Sequence, residues 1–365
     1  MKRVYRLIDA DQHINEPPDL WTSRMPAKLR DRAPRIESFD QGDAWILEGV
    51  DTPINFGLNS CAGKAPEDMV PWCRWADVRA GGYDPAARVV ELDQDHIDAC
   101  LLYPTPRLSH SVIANQDPEF HLALVRAYND WLAEYCAHAP DRLAGVFLIP
   151  NRGIDMALAE IERIAPQPGM RGALLGCYPH GDLNLVADED DAVWHALADR
   201  NIPMHLHVSL VNDMPSTHDA RIPGDVRFFD APKRILQFVW ARVFERVPQL
   251  KLVVVEVDCG WLPYLKEQAD DRFRRMGLGA KLDLDRPPSW FIRNHMWFTY
   301  ITDHYGLRNR HDVGVDKMLW SSDYPHVGSN WPNSWRVINA EMSGVPDDER
   351  DLLLAGNARS LYGFA

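Results

Sequence analysis

The chain has 365 residues, 46% of them hydrophobic and 25% charged. That composition supports a packed core and excludes a disordered or collagen-like chain. A formal net charge of −14 sets the molecule against nucleic acid and anionic membrane surfaces. No stretch approaches the roughly 18 apolar residues of a membrane span, and the opening MKRVYRLIDAD lacks the apolar core of a signal peptide. The six cysteines are scattered, with no C-x-x-C pair, so the expectation is a cytoplasmic protein with reduced thiols.

In chain order, apolar runs of strand length fall at 5–13, 97–105, 143–150, 171–179, 202–209, 250–258, 295–303 and 316–326. Between them lie segments whose apolar residues recur at three and four, such as 121–140, 155–165, 191–201 and 233–250. Eight alternations of strand and helix predict an α/β fold, a (β/α)8 TIM-type barrel forming one domain over 1–365. Residues 22–90 are too long for a first crossover. They are read as an insertion over the barrel mouth, with a β-hairpin in 43–57 turning at Gly49 or Asp51 and a Trp-rich stretch after it. Residues 211–232 follow the fifth strand without periodicity and are expected to form an active-site loop or lid.

The first strand, IDADQH, sets Asp9, Asp11 and His13 at alternate positions, which predicts one shared face. Burying two carboxylates and an imidazole unpaired costs about 2–7 kcal/mol per group, and a divalent cation is the natural compensation. In such a barrel catalytic groups sit at the C-terminal strand ends. Four of those ends carry ligand chemistry: Asp11-Gln12-His13, His205-Leu206-His207, Glu256-Val257-Asp258 and Ser322-Asp323-Tyr324-Pro325-His326. Crowded carboxylates raise one another's pKa unless a cation sits among them. Mixed nitrogen and oxygen ligation suits Zn, Mn or Fe.

The D-x-H of the first strand, the H-x-H-V of the fifth, E-x-x-x-G-W-x-P at 256–263, G-G-Y-D-P-A-A-R at 81–88 and S-D-Y-P-H at 322–326 together resemble the amidohydrolase-related family. That branch of the amidohydrolase superfamily includes aminocarboxymuconate-semialdehyde and resorcylate-type decarboxylases. The resemblance implies a single metal held by Asp11, His13, His207 and Asp323, with Asp11 matching the carboxylate of the resorcylate-type members. His205 is an alternative ligand or a partner behind the ligands. Where the decarboxylases carry a strand-six histidine this chain has Glu256, a candidate general acid or base, ligand to a second metal, or partner of an arginine.

Glu16 is expected to orient a ligand, bind a second metal or cap its loop. His326 is a candidate catalytic group, and His180, Tyr324 and Trp261 are candidate substrate contacts, with Trp72, Trp75, Trp331 and Trp335 as further wall. The chemistry implied is hydrolysis or decarboxylation of a small organic carboxylic acid or carbonyl compound, aromatic or polyketide-like. The metal would polarise a substrate oxygen or activate a water, and Asp323 would transfer the proton. A non-haem iron monooxygenase, with surplus carboxylates building a second iron site, and a non-catalytic binding protein are the alternatives. A small molecule is the expected partner, without nucleic acid or membrane, and the resemblance implies a homodimer.

Overall fold

The computed structural model describes residues 3–182, 184–208, 231–277, 279 and 283–364. Eight strands form one sheet: β1 (Ile8–His13), β5 (Ala99–Tyr103), β6 (Leu143–Leu148), β7 (Met170–Leu174), β8 (Met204–His207), β9 (Leu252–Val255), β10 (Met296–Tyr300) and β11 (Met318–Trp320). Neighbours in that order are parallel. Each falls inside or within a residue of one apolar run of the sequence. Strands covered on both faces read as continuous apolar stretches, and β5, β6 and β9 are buried throughout.

The barrel closes just beyond β11. Asp323 N donates to Asp11 O at 3.0 Å and His13 N to Tyr324 O at 2.6 Å, so the loop after the last strand completes the ladder along the first. Helices including Pro118–Ala137, Ile154–Ile164, Asp191–Asp199 and Leu262–Met276 fill the crossovers. The helix expected over 233–250 is two, Ala231–Trp240 and Val243–Arg246, broken where Arg242 takes φ 59°. No helix among the described residues is long and apolar enough to cross a membrane.

Residues 22–90 hold a small antiparallel sheet of β2 (Arg35–Phe39), β3 (Gly42–Ile46) and β4 (Ile54–Asn55). The expected hairpin is the β3–β4 pair, and Gly49 at φ 84° lies in its connection. β2 was not foreseen, because RIESF is largely exposed and carries no alternating apolar face. The segment then reaches the C-terminal end of the seam: Cys61 N and Ala62 N both donate to Pro325 O. The 211–232 loop lies, except for Ala231 and Pro232, outside the described residues.

Candidate metal centre

β1 carries one more residue than β5 between the pairs Asp9↔Cys100 and Gln12↔Leu102. A bulge of this kind re-aims side chains, and it breaks the shared face expected of Asp9, Asp11 and His13. Asp9 instead turns to the seam. Its carboxylate accepts from Ser322 N at 3.0 Å, Ser322 Oγ at 2.5 Å, Gln12 Nε2 at 2.7 Å and Asp11 N at 3.2 Å. Those bonds compensate Asp9 without a cation, although burial still lifts its pKa to about 7.

Asp11 has no such compensation. It is fully buried, and neither carboxylate oxygen has a hydrogen-bond partner. Around it the side chains from four strand ends converge. His13 Nε2 lies 3.4 Å from Asp11 Oδ1, 3.4 Å from Asp323 Oδ1 and 3.1 Å from His207 Nε2. His207 Nε2 lies 3.5 Å from Asp11 Oδ1 and 3.4 Å from Glu256 Oε2. Ligands about 2.1 Å from one ion, at right or tetrahedral angles, stand about 3.0–3.4 Å apart, so these spacings match the edges of a coordination shell. One ligand atom each from Asp11, His13, His207 and Glu256 lies within 4.8 Å of the others, as do those of His13, Glu256, Asp323 and His326. The donors fit a divalent cation, and the orphaned Asp11 oxygens are what a cation would satisfy.

Local structure aims each donor. His13 Nδ1 donates to Pro104 O at 2.8 Å, which leaves Nε2 with its lone pair toward the cluster. Asp323 at φ 55° and Glu256 at φ 59° occupy the left-handed region, costly for non-glycine residues and typical of functional sites. His326 stacks on His13 at 3.8 Å between ring centres. Asn59 Nδ2 sits 3.0 Å from His326 Nε2, and His326 Nδ1 faces Asp323 Oδ1 at 2.8 Å.

Charge follows this geometry. Burial raises the Asp11 pKa to about 7, with His13 pulling it back and Asp323 adding to the rise. Burial acts the same way on Asp323, yet His326 and His13 hold its carboxyl below the usual range. Burial opposes protonation of His13, but Asp323 and Asp11 outweigh it and raise its pKa.

Several expected site residues lie elsewhere. His205 sits deeper in the barrel, its Nδ1 2.6 Å from Tyr103 Oη and its Nε2 where a Cβ on Gly172 would come within 2.6 Å. Desolvation lowers its pKa to about 3. Glu16 accepts from Thr105 N at 3.0 Å and joins neither donor grouping. Tyr324 is engaged on the side of the helix Pro85–Gln94, donating to Glu91 Oε2 with the Arg88 guanidinium over its ring. His180 is held by Asp190 at 2.8 Å. Trp261 donates to Val257 O and packs edge-on to Phe298. The other tryptophans do not build one wall. Trp72 packs on Phe39, Trp75 on Phe56 and Tyr83, and Trp331 and Trp335 bond Glu91 O and His96 O.

Sequence reading missed Asn59, which no local pattern marks, and Tyr103, whose ring flanks His13 and His207 at 5.9 and 5.1 Å. Tyr103 lay inside an apolar strand and looked like core.

An eight-stranded barrel with a carboxylate–histidine cluster at its C-terminal rim defines an amidohydrolase-type metal protein. The amidohydrolase family model matches residues 8–364, and the chain belongs to that family. It is 24% identical over 314 residues to a gamma-resorcylate decarboxylase of Polaromonas sp., covering 80% of this chain and 92% of that one. Among solved structures, an amidohydrolase of Mycobacterium avium subsp. paratuberculosis superposes with a TM-score of 0.78 at 22% identity, over 99% of this chain and 100% of the other. A dihydroxybenzoic acid decarboxylase of Polaromonas sp., solved with manganese and the inhibitor 2-nitroresorcinol, superposes with a TM-score of 0.66 at 20% identity, over 99% and 97%.

Proposed function

We propose that the protein is a metal-dependent decarboxylase of a small aromatic carboxylic acid, with Asp11, His13, His207 and Asp323 holding the cation. The observation that carries this reading is that His13 Nε2 lies 3.4 Å from both Asp11 Oδ1 and Asp323 Oδ1 and 3.1 Å from His207 Nε2, beside an Asp11 carboxylate that has no hydrogen-bond partner. Manganese is the favoured metal, since two carboxylates and two imidazoles make a mixed oxygen and nitrogen shell that suits it, and the decarboxylase structure from Polaromonas sp. was solved with manganese. When bound, the cation supplies a positive point that anchors and polarises the oxygens of the substrate.

The remaining work falls to the chain. Glu256 is the most open of the donors, its side chain 25% exposed against 5% for Asp323 and none for His13. Loss of CO2 leaves an electron pair on the ring carbon that bore it, and Glu256 delivers the proton that quenches the pair. Asp323 is the second candidate for that transfer, but its Oδ1 faces His13 and His326, which suits it better to holding the cation. His326 and Asn59 keep Asp323 in place.

An oxygenase with two irons needs a second set of donors. Among the described residues the two donor groupings share His13 and Glu256, and neither includes Glu16 or Asp258. One centre is therefore the better reading.

The test is to load purified protein with Mn2+ and measure CO2 release from hydroxybenzoates, 2,6-dihydroxybenzoate first. Metal-dependent release supports the reading. A manganese-loaded protein that releases no CO2 from any aromatic acid but hydrolyses ester or amide probes would overturn it in favour of a hydrolase.

A further inference from the structure

The segment G-G-Y-D-P-A-A-R, residues 81–88, contributes no side chain to the centre, yet its construction is exacting. Asp84 caps the helix Pro85–Gln94 by accepting from Ala86 N and Ala87 N, with proline at the first helical position. A Cβ on Gly82 would fall 2.4 Å from Asn15 Oδ1 and 3.1 Å from Asn15 Cβ, so glycine there lets the loop press closely on the residues that follow β1. One turn into the helix stands Arg88, which is completely buried.

Burying a guanidinium is costly unless its donors are met. Among the described residues no carboxylate lies within ion-pair distance of Arg88, and its donors are spent on neutral oxygens. Nε donates to Gly81 O at 2.7 Å, Nη1 to Gln12 Oε1 at 2.8 Å and Nη2 to His13 O at 2.5 Å. Its flat face lies 4.5 Å from the ring centre of Tyr324. One side chain therefore grips the backbone of His13, the residue beside it and the residue after Asp323. Gln12 extends the grip, because its amide donates to Asp9, which in turn binds Ser322.

We infer that Arg88 is a positioning residue for the metal centre, clamping the join of first and last strands so that Asp11, His13 and Asp323 are set before a cation arrives. The inference rests on the metal-centre reading above. Only a planar fork meets three acceptors at these angles, so lysine is not an equivalent.

The experiment titrates Mn2+ alone into the full-length protein, following free Mn2+ by electron paramagnetic resonance, and measures the urea midpoint of each variant with chelator present. Wild type binds one Mn2+ per chain. Arg88→Lys weakens binding by about 10–100-fold, the scale seen when groups that orient metal ligands are removed, and broadens the bound-metal spectrum. Gln12→Met, which cuts the link between Arg88 and Asp9 without removing a buried charge, weakens it less and serves if the arginine variant does not fold. A folded variant with a lowered urea midpoint and unchanged Mn2+ affinity makes Arg88 a purely structural residue and overturns the proposal. Failure of wild type to bind Mn2+ sinks the metal-centre reading itself, and the clamp falls with it.

Discussion

The backbone N–H of Asp323 donates to the carbonyl of Asp11 at 3.0 Å, so two of the residues whose carboxylates lie at the centre are also partners in the ladder that closes the barrel. In the proposed centre, coordination and closure are one piece of geometry. Loading the centre should therefore stabilise the whole fold, because a ligand bound only by the folded state adds about 2.7 kcal/mol at one hundred times its Kd. Chelation should lower the thermal midpoint, and Mn2+ should restore it in a concentration-dependent way.

His13 offers one nitrogen to three neighbours. His13→Ala should bind less than one hundredth as much Mn2+ at limiting metal, a loss beyond the roughly 10–100-fold typical of groups that only orient ligands. It should keep the far-ultraviolet circular dichroism of wild type. Elemental analysis showing one metal per chain in this variant would remove His13 from the centre.

Glu256 and Asp323 separate by role. Glu256→Gln should retain its metal and lose about 10²–10⁴-fold in kcat, the range of a general acid. Asp323→Asn should lose metal and activity together. If the glutamine variant turns over at the wild-type rate, the proton comes from elsewhere.

Asn59 reaches the site through the hydrogen bond between its Nδ2 and His326 Nε2. Asn59→Ala should lower kcat/KM by about 10–100-fold while leaving the urea midpoint within the usual scatter of surface changes. Activity equal to wild type would show that His326 holds its place without it.

His121 reports on pH stability away from the metal. Its Nδ1 donates to Val112 O and its Nε2 accepts from Asn151 N, so a second proton would set donor against donor. Burial lowers its pKa to about 4. Below pH ~6.5 the unfolded chain takes up a proton there that the folded chain refuses until about pH 4. Stability is therefore complete above that window and falls on acidification through it, by about 3 kcal/mol from this group. His121→Gln should show a flatter urea midpoint between pH 7 and pH 5, and an unchanged slope would refute the assignment.

All eight barrel strands were legible because strands buried on both faces are long apolar runs with helical periods between them. The histidines and carboxylates at their ends were legible for the same reason, being conspicuous where apolar residues stop. What escaped depended on distant contacts or local irregularity. The bulge in β1 turned Asp9 toward Ser322, and nothing in IDADQH announces an extra residue relative to β5. Tyr324 looked like a site residue because it follows Asp323, but its hydroxyl donates to Glu91, 233 positions away, and its ring lies under the Arg88 guanidinium, contacts that adjacency in sequence does not reveal. Asn59 lies 267 residues from His326, a separation that no window on the sequence spans.

The join between the first and last strands also orders events during synthesis. Asp9 and Ser322, bonded across it, are 313 residues apart, so a nascent chain emerging from the ribosome carries Asp11 and His13 long before Asp323 exists. Contacts of such sequence separation form slowly, and the ion can be gripped only after they do. Products truncated before Asp323 should thus lack the proposed centre, and uptake of Mn2+ should follow the meeting of the first and last strands.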